Sequence, residues 1–251
     1  MVDAILDYSG ELRFHFSQLL KNSYFLQLAL IPPAVFVALR LMAGATDAAT
    51  VWADGTAAGI WTTSVAAVGI IGFQRAQGTL EYLVGSPRPL AWTLSPLAIS
   101  CSILGLLSIP VTALIVGVAR GGLFVAQPLW YAVSIVLTLI ACSVSALCLS
   151  GLFVITRHAI VYEPVLVAPI LLLSGAVLPY DRLGQPWQSI ALLHPLTGAV
   201  ALLQESADGT SLSVFWIAQV CVTAILLVVV ARMILRAAEK HVRVDGTLHL
   251  S

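Results

Sequence analysis

The sequence predicts an all-α membrane protein with six transmembrane helices. An N-terminal interfacial helix, a short helix in the first cytoplasmic loop and external re-entrant helices before the last span complete the expected fold. Both termini are expected in the cytoplasm. Three observations lead there. The chain is 59% hydrophobic and only 10% charged, whereas a soluble domain is roughly 45–50% apolar and about 25% charged. Its 251 residues leave room for about six to eight segments of the ~20 residues that cross a bilayer. The basic residues gather on one side of the apolar runs, which orients the chain.

The elements follow in order. Ile5, Tyr8, Leu12, Phe16 and Leu19 recur at helical spacing on one face, while Asp7, Glu11, Arg13 and Lys21 lie away from it and Phe14 is an outlier. Such a stripe just before a span predicts a helix lying flat in the headgroup layer, over residues 1–22. Span one covers Tyr24 to Gly44, with a kink expected at Pro32-Pro33. Span two runs from Gly55 to Phe73 and is rich in Ala, Gly, Ser and Thr, which permits close helix packing. Span three covers Leu90 to Gly117, span four Pro128 to Ile155, span five Ala159 to Leu178 and span six Leu212 to Leu235. Residues 179–211 are broken by Pro179, Pro186 and Pro195 and are too interrupted to cross, so they read as re-entrant or interfacial helices outside. Residues 236–251 form a polar cytoplasmic tail. No repeat or composition shift divides the chain, so residues 1–251 form a single transmembrane domain.

With both termini inside, nine of the twelve basic residues face the cytoplasm, Arg120 and Arg182 lie outside, and Arg40 falls within span one. The opposite orientation would invert that bias. Arg40 sits near the outer end of its span, where snorkelling to the headgroups is its simplest role and a place in the pathway the other. Glu163, just before Pro164, is expected to cap its helix or touch the inner loop.

Several chemistries are missing. The net charge is zero, which excludes a strongly basic nucleic-acid binder. The only lysines, Lys21 and Lys240, follow no phosphate-binding glycine loop, so the chain is not expected to hydrolyse ATP itself. It has no H-E-x-x-H and no G-x-S-x-G pattern. Cys101, Cys142, Cys148 and Cys221 lie in apolar segments without a C-x-x-C spacing, which argues against a disulfide framework or a zinc site. No catalytic residue and no metal ligand is assigned. The start, "MVDAILDYSGELR", lacks the basic and apolar regions of a cleavable signal.

One polar stretch stands out, "RAQGTLEYLVGSP", residues 75–87. Thr79 to Val84 suits a two-turn helix bracketed by Gly78 and Gly85, with Thr79 placed as N-cap. Leu80, Leu83 and Val84 make an apolar face, while Glu81 and Tyr82 project elsewhere. Such a piece suits a ball-in-socket joint, the apolar face in a groove and the Glu81 carboxylate accepting hydrogen bonds at its rim.

This stretch resembles the first cytoplasmic loop of the type-2 ABC exporter permeases, which reads close to E-x-G-T-L-E-x-L-x-x-S-P. Gly78, Thr79, Leu80, Glu81, Leu83, Ser86 and Pro87 match; Ala76 and Gln77 stand where charged residues are commoner. A second stretch, "LSGAVLPYDRLGQPWQSIALLHPLTGAVALLQE", is similar to the family's segment from span five into the external helices. Ser174, Gly175, Pro179, Pro186, Trp187, Pro195 and Leu196 match it, and His194 replaces the commoner asparagine.

The resemblance implies one permease half of an ATP-driven exporter in a plasma (inner) membrane of bacterial type. A separate P-loop ATPase subunit, carrying ATP and Mg²⁺, would dock on the 75–88 loop through Gly78, Thr79, Leu80, Glu81, Tyr82, Leu83 and Pro87. A second permease chain, identical or related, would complete the pathway within the membrane lipids. The external helices, with Pro179, Trp187, His194 and Pro195, would form the gate. The family's cleft is lined by spans two and five, which points to Thr62, Thr63 and Ser174. The sparse charge of the spans suits a hydrophobic or amphipathic cargo, drug- or antibiotic-like or lipid. Two other readings stay open: a membrane scaffold of the same fold that moves nothing, and an intramembrane enzyme using His158 and Glu163, whose spacing of five suits one helical face poorly.

Overall fold

Local capping sets the helix boundaries. The structure, a computed structural model, describes residues 2–80, 82, 85, 86, 88–122, 125–156, 165 and 168–245. Helix α1 (Val2–Lys21) leads directly into α2 (Ser23–Met42). The intervening Asn22 caps α2, its side-chain oxygen accepting from Tyr24 N at 3.0 Å. Helix α2 stays one helix through Pro32 and Pro33. Helix α3 (Ala48–Ala76) is capped by Asp47, which accepts from Ala49 N at 3.3 Å and Thr50 N at 2.9 Å. Span two therefore begins two turns earlier than expected, which brings Asp54 inside the helix.

The third span is split. Helix α4 (Leu90–Leu104) and helix α5 (Ser108–Arg120) are joined by a 3₁₀ turn, Gly105–Leu107. The break falls at Gly105, where a close approach requires it. A Cβ on Gly105 would lie 2.6 Å from Ile60 Cα of α3, and one on Gly59 would lie 2.1 Å from Ser108 Oγ. The two backbones therefore pack without side chains between them. Helix α6 (Pro128–Ile155) has the predicted bounds. Of the expected fifth span, residues 165 and 168–178 are described; 165 and 168–173 are helical, whereas 174–178 form a turn, so the helix ends five residues earlier than expected; His158 and Glu163 lie outside the described residues.

The prolines of the next segment give short pieces: a 3₁₀ turn at Tyr180–Arg182, helix α7 (Trp187–Ala191) and helix α8 (Pro195–Asp208). Helix α9 (Val214–Asp245) ends the described chain. It continues past the apolar stretch because Arg236, Ala237, Ala238, Glu239 and Lys240 are all strong helix formers. The start of the expected polar tail is thus helical.

Among the described residues there is no strand, and five helical segments are long and apolar enough to cross a membrane. Helix α3 is the axis of the bundle, with Ile60, Trp61 and Ile71 almost wholly enclosed. Its hydroxyls bond inward: Ser64 Oγ meets Ser102 Oγ of α4 at 2.8 Å, and Ser143 Oγ of α6 donates to the same Ser102 at 2.9 Å. Helices α2 and α9 keep apolar outer faces exposed, among them Ile31, Val35 and Leu39, and Val222, Ile225 and Val229. That pattern suits lipid or a partner helix.

Helix α1 uses its predicted stripe against protein. Tyr8 Oη donates to Ser95 Oγ of α4 at 3.0 Å, and its ring meets Trp92 edge-on at 4.9 Å. Leu19 is buried in a cluster with Leu97 and Cys101, and Phe16 packs against it. The stripe was expected to enter the headgroup layer, but α4 offers a ready apolar wall. Among its described side chains, Leu6, Phe14 and Leu20 are the large apolar ones that α1 leaves exposed.

Candidate functional site

Three features gather the chemistry-bearing residues: the 75–88 loop at one end of the bundle, a cleft beside α3, and a buried ionic node at the other end.

The loop is fastened at both flanks. Arg75, in the last turn of α3, donates to the backbone oxygen of Val154 at the C-terminal end of α6. A cation there satisfies an end carbonyl and suits the helix dipole. Arg88, just before α4, is bonded to both Asp7 and Glu11 of α1. Between them, Gly78 turns the chain at φ +70°, a conformation that favours glycine. Thr79 is the last non-helical residue before Leu80, the position expected of an N-cap. Its hydroxyl donates back to Gln74 O at 3.1 Å and closes the end of α3. Leu80 and Tyr82 are helical, and Tyr82 N donates to Thr79 O at 3.2 Å.

Leu80, expected on the docking face, is 1% exposed and belongs to the chain's own core. It anchors the loop from below. Tyr82, at 82% exposed, is the side chain that stands out. Glu81, Leu83 and Pro87 lie outside the described residues.

The cleft, about 1260 Å³, opens between the end of α1, the start of α2, α3 and the described part of the fifth span. Thr62 lines it, together with Trp61, Val65 and Ala66. Thr63 does not: it is wholly buried and its hydroxyl is bonded to Gly59 O and Ile60 O. The one-residue step turns it about 100° away on a 3.6-residue helix. Ser174 is also buried away from the cleft, its hydroxyl donating to Leu171 O at 2.7 Å where the helix ends. It serves the turn at Gly175, whose φ is +96°.

Of the expected gate residues, Pro179 opens the 3₁₀ turn and Trp187 begins α7, half exposed. His194 and Pro195 start α8. His194 Nδ1 accepts from Leu196 N at 3.2 Å, so the ring nitrogen does the capping expected of an asparagine side chain. With Nδ1 an acceptor, the proton sits on Nε2, which faces Ser145 Oγ of α6 at 3.0 Å. The same ring meets Trp61 edge-on at 5.7 Å. His194 therefore touches the residue that lines the cleft, whereas Pro179 and Trp187 lie away from it. Gln219 of α9 holds the turn from the other side, donating to Leu192 O at 2.8 Å and His194 O at 3.0 Å.

The node joins residues that no sequence spacing links. Arg40 Nη2 of α2 meets Asp54 Oδ2 of α3 at 2.7 Å, with the Asp54 side chain fully buried. Arg40 Nη1 donates to Val177 O at 3.1 Å. Gln204 Nε2 of α8 donates to Asp54 Oδ1 at 2.7 Å and lies 3.3 Å from Gly175 O. One carboxylate thus joins α2, α3, the turn after the fifth span and α8. This corrects the snorkelling expected of Arg40: a buried carboxylate one helix away outcompetes the headgroups. The available signal was the Asp47 cap, which places Asp54 in the second turn of the span.

Beside the node, at the surface, Asp47 and Asp208 share Thr50. Thr50 Oγ1 lies 3.3 Å from each Asp208 oxygen. Burial, then the hydrogen bond and charge of Asp47, raise the Asp208 carboxyl to about 6. For Asp47 burial works upward, but hydrogen bonds from Thr50, Asp208 and Ala49 outweigh it and its carboxyl is lowered.

No group of three or more metal-ligating side chains occurs among the described residues. No curated protein matches the sequence significantly. The sequence pattern of one family, described as ABC-2 type transporter, matches residues 55–207, more than half of the chain. That stretch holds α3 beyond its first turns, the 75–88 loop, the α3 side of the cleft and nearly all of α8. The chain is a multi-pass membrane protein belonging to the ABC-2 type transporter family.

Proposed function

We propose that this chain is the permease half of an exporter driven by ATP on a separate subunit. The observation that carries the reading is the double anchoring of the 75–88 loop. The loop joins α3 to α4, Arg75 ties it to α6 and Arg88 ties it to α1, so a push on the loop reaches four helices at once. A loop held this way passes on movement that a slack one would dissipate. The loop and both termini face the cytoplasm, six spans cross the inner membrane, and the external helices gate the far side. A second permease chain, this one or a sibling, completes the pathway. The exposed apolar faces of α2 and α9 offer surfaces for it and for lipid. Membership in the family implies an ATP-binding partner, which holds the ATP and Mg²⁺. The cargo is a hydrophobic or amphipathic small molecule or a lipid.

The test is a pull-down of the tagged chain from native membranes. We expect a stoichiometric P-loop ATPase in the eluate, lost with Leu83→Asp, which would place a charge in an apolar socket. Clean elution without an ATPase in several detergents would overturn the reading in favour of a scaffold.

A further inference from the structure

The cleft beside α3 has a polar end and an apolar end. Lys21, His15 and Gln74 lie at the end nearest the 75–88 loop, while Trp61 and Thr62 lie deeper along α3. From Gln74 to Trp61 the wall rises thirteen residues, roughly 20 Å at 1.5 Å per residue. Its volume of about 1260 Å³ exceeds the ~300–1,000 Å³ of pockets for compact drug-sized ligands. The shape suits a long molecule.

Charge selects further. Lys21 is the one lysine or arginine among the described lining residues, and none of them carries a carboxylate. His15 adds no charge near neutral pH: burial lowers its pKa, offset in part by Glu11. Two polar atoms in the wall lack partners among the described residues. Gln74 Oε1, an acceptor, lies near the mouth, and Trp61 Nε1, a donor, lies at the deep end, on a side chain only 1% exposed. A buried donor without an acceptor is costly, and an apolar chain alone would not relieve it.

We propose that the cleft binds one long anionic amphiphile from the surrounding leaflet, its head at Lys21 and an oxygen on its chain accepting from Trp61 Nε1. This rests on the exporter reading and names the cargo class within it. The head stays where water and Lys21 can reach it, the chain replaces water along Val65 and Ala66, and the chain oxygen satisfies the indole. A neutral amphiphile forfeits Lys21, and an unsubstituted chain leaves Trp61 unpaired.

The test is equilibrium binding of radiolabelled 12-hydroxyoctadecyl phosphate and octadecyl phosphate to the full chain in nanodiscs, with empty nanodiscs as background. We expect saturable binding of one molecule per chain, with the hydroxylated probe tighter by about tenfold, the equivalent of one good hydrogen bond. Lys21→Gln should weaken both probes about tenfold, and 1,12-octadecanediol, without the phosphate, should compete about tenfold more weakly than unlabelled 12-hydroxyoctadecyl phosphate. Trp61→Phe should bind both probes equally, at the affinity of the unhydroxylated one, and that retained binding reports a folded protein. Ala66→Leu, which fills the wall, should abolish both. Non-saturable uptake that is the same in Lys21→Gln would reduce the effect to partition into lipid and overturn the proposal. Uptake no greater than in empty nanodiscs would overturn it too, leaving a second copy of the chain as the occupant. Neither result depends on an ATPase, so the exporter reading stands or falls separately in the pull-down.

Discussion

Arg40 on α2 and Asp54 on α3 meet at 2.7 Å, and Asp54 is wholly enclosed by the bundle. The pair sits where α8 and the turn after the fifth span also converge, through Gln204 and Val177. Removing one member of a buried pair typically costs about 3–5 kcal/mol, because the other charge is stranded. Replacing both by apolar residues of similar volume is often neutral or better. Arg40→Ala should therefore lower the thermal midpoint of the detergent-solubilised chain sharply, and Arg40→Met with Asp54→Leu should restore most of it. A double variant as unstable as the single would show that the pair does more than neutralise buried charge.

Arg88 presents a contrast. Its bonds to Asp7 and Glu11 lie at the surface, with its side chain 43% exposed. Pairs of that kind contribute roughly 0–1 kcal/mol, so Arg88→Ala should leave the thermal midpoint nearly unchanged. If the loop drives the spans as proposed, the same variant should lose several-fold in ATP-driven flux. Asp7→Arg combined with Arg88→Glu should recover part of it. Flux in proteoliposomes with the partner ATPase, read beside the melting curve, separates the two effects.

His194 caps α8 through Nδ1 and reaches Ser145 through Nε2. An N-cap is worth about 1 kcal/mol, and asparagine is among the best caps. His194→Asn should keep the cap and melt close to the parent. His194→Ala should lose it and drop by about 1 kcal/mol. Equal melting of the two variants would assign the stability to packing against Trp61.

Asp208 makes stability depend on pH. Its carboxyl is raised to about 6, above the ordinary 3.8, by burial and by its neighbour Asp47. The folded chain then holds a proton that the unfolded chain releases, so stability rises as pH falls through about 6 toward 4. Asp47, whose carboxyl is lowered, acts the other way only below that window. Thermal midpoints at pH 7 and pH 5 should show a gain on acidification that Asp208→Asn removes. The same slope in the variant would rule out this pair as its source.

Helix bounds and burial show how far the sequence alone reached. Long apolar runs force helices in lipid, where every backbone group must be satisfied within its own segment. That is why the apolar run Pro128–Ile155 coincides with its helix and why the proline-broken segment after the fifth span forms short helices. The family was legible because the motifs around Gly78 and Pro195 are local in sequence.

What faces what is a different matter, because contacts between helices leave no fixed spacing in the chain. The spacing places Leu80 on an outward face, yet it closes the chain's own core, packed among the buried apolar residues around α3. Thr63 and Thr62 were indistinguishable in composition, and only helix rotation decided which of them lines the cleft. Arg40 and Asp54 lie on different helices, and their pairing required a carboxylate to be carried two turns into α3 by its Asp47 cap. Sequence determined which segments are helical and what family they compose; the tertiary packing decided which polar side chains the bundle turns inward, because burying one is tolerated only where a partner from another helix arrives at hydrogen-bond distance.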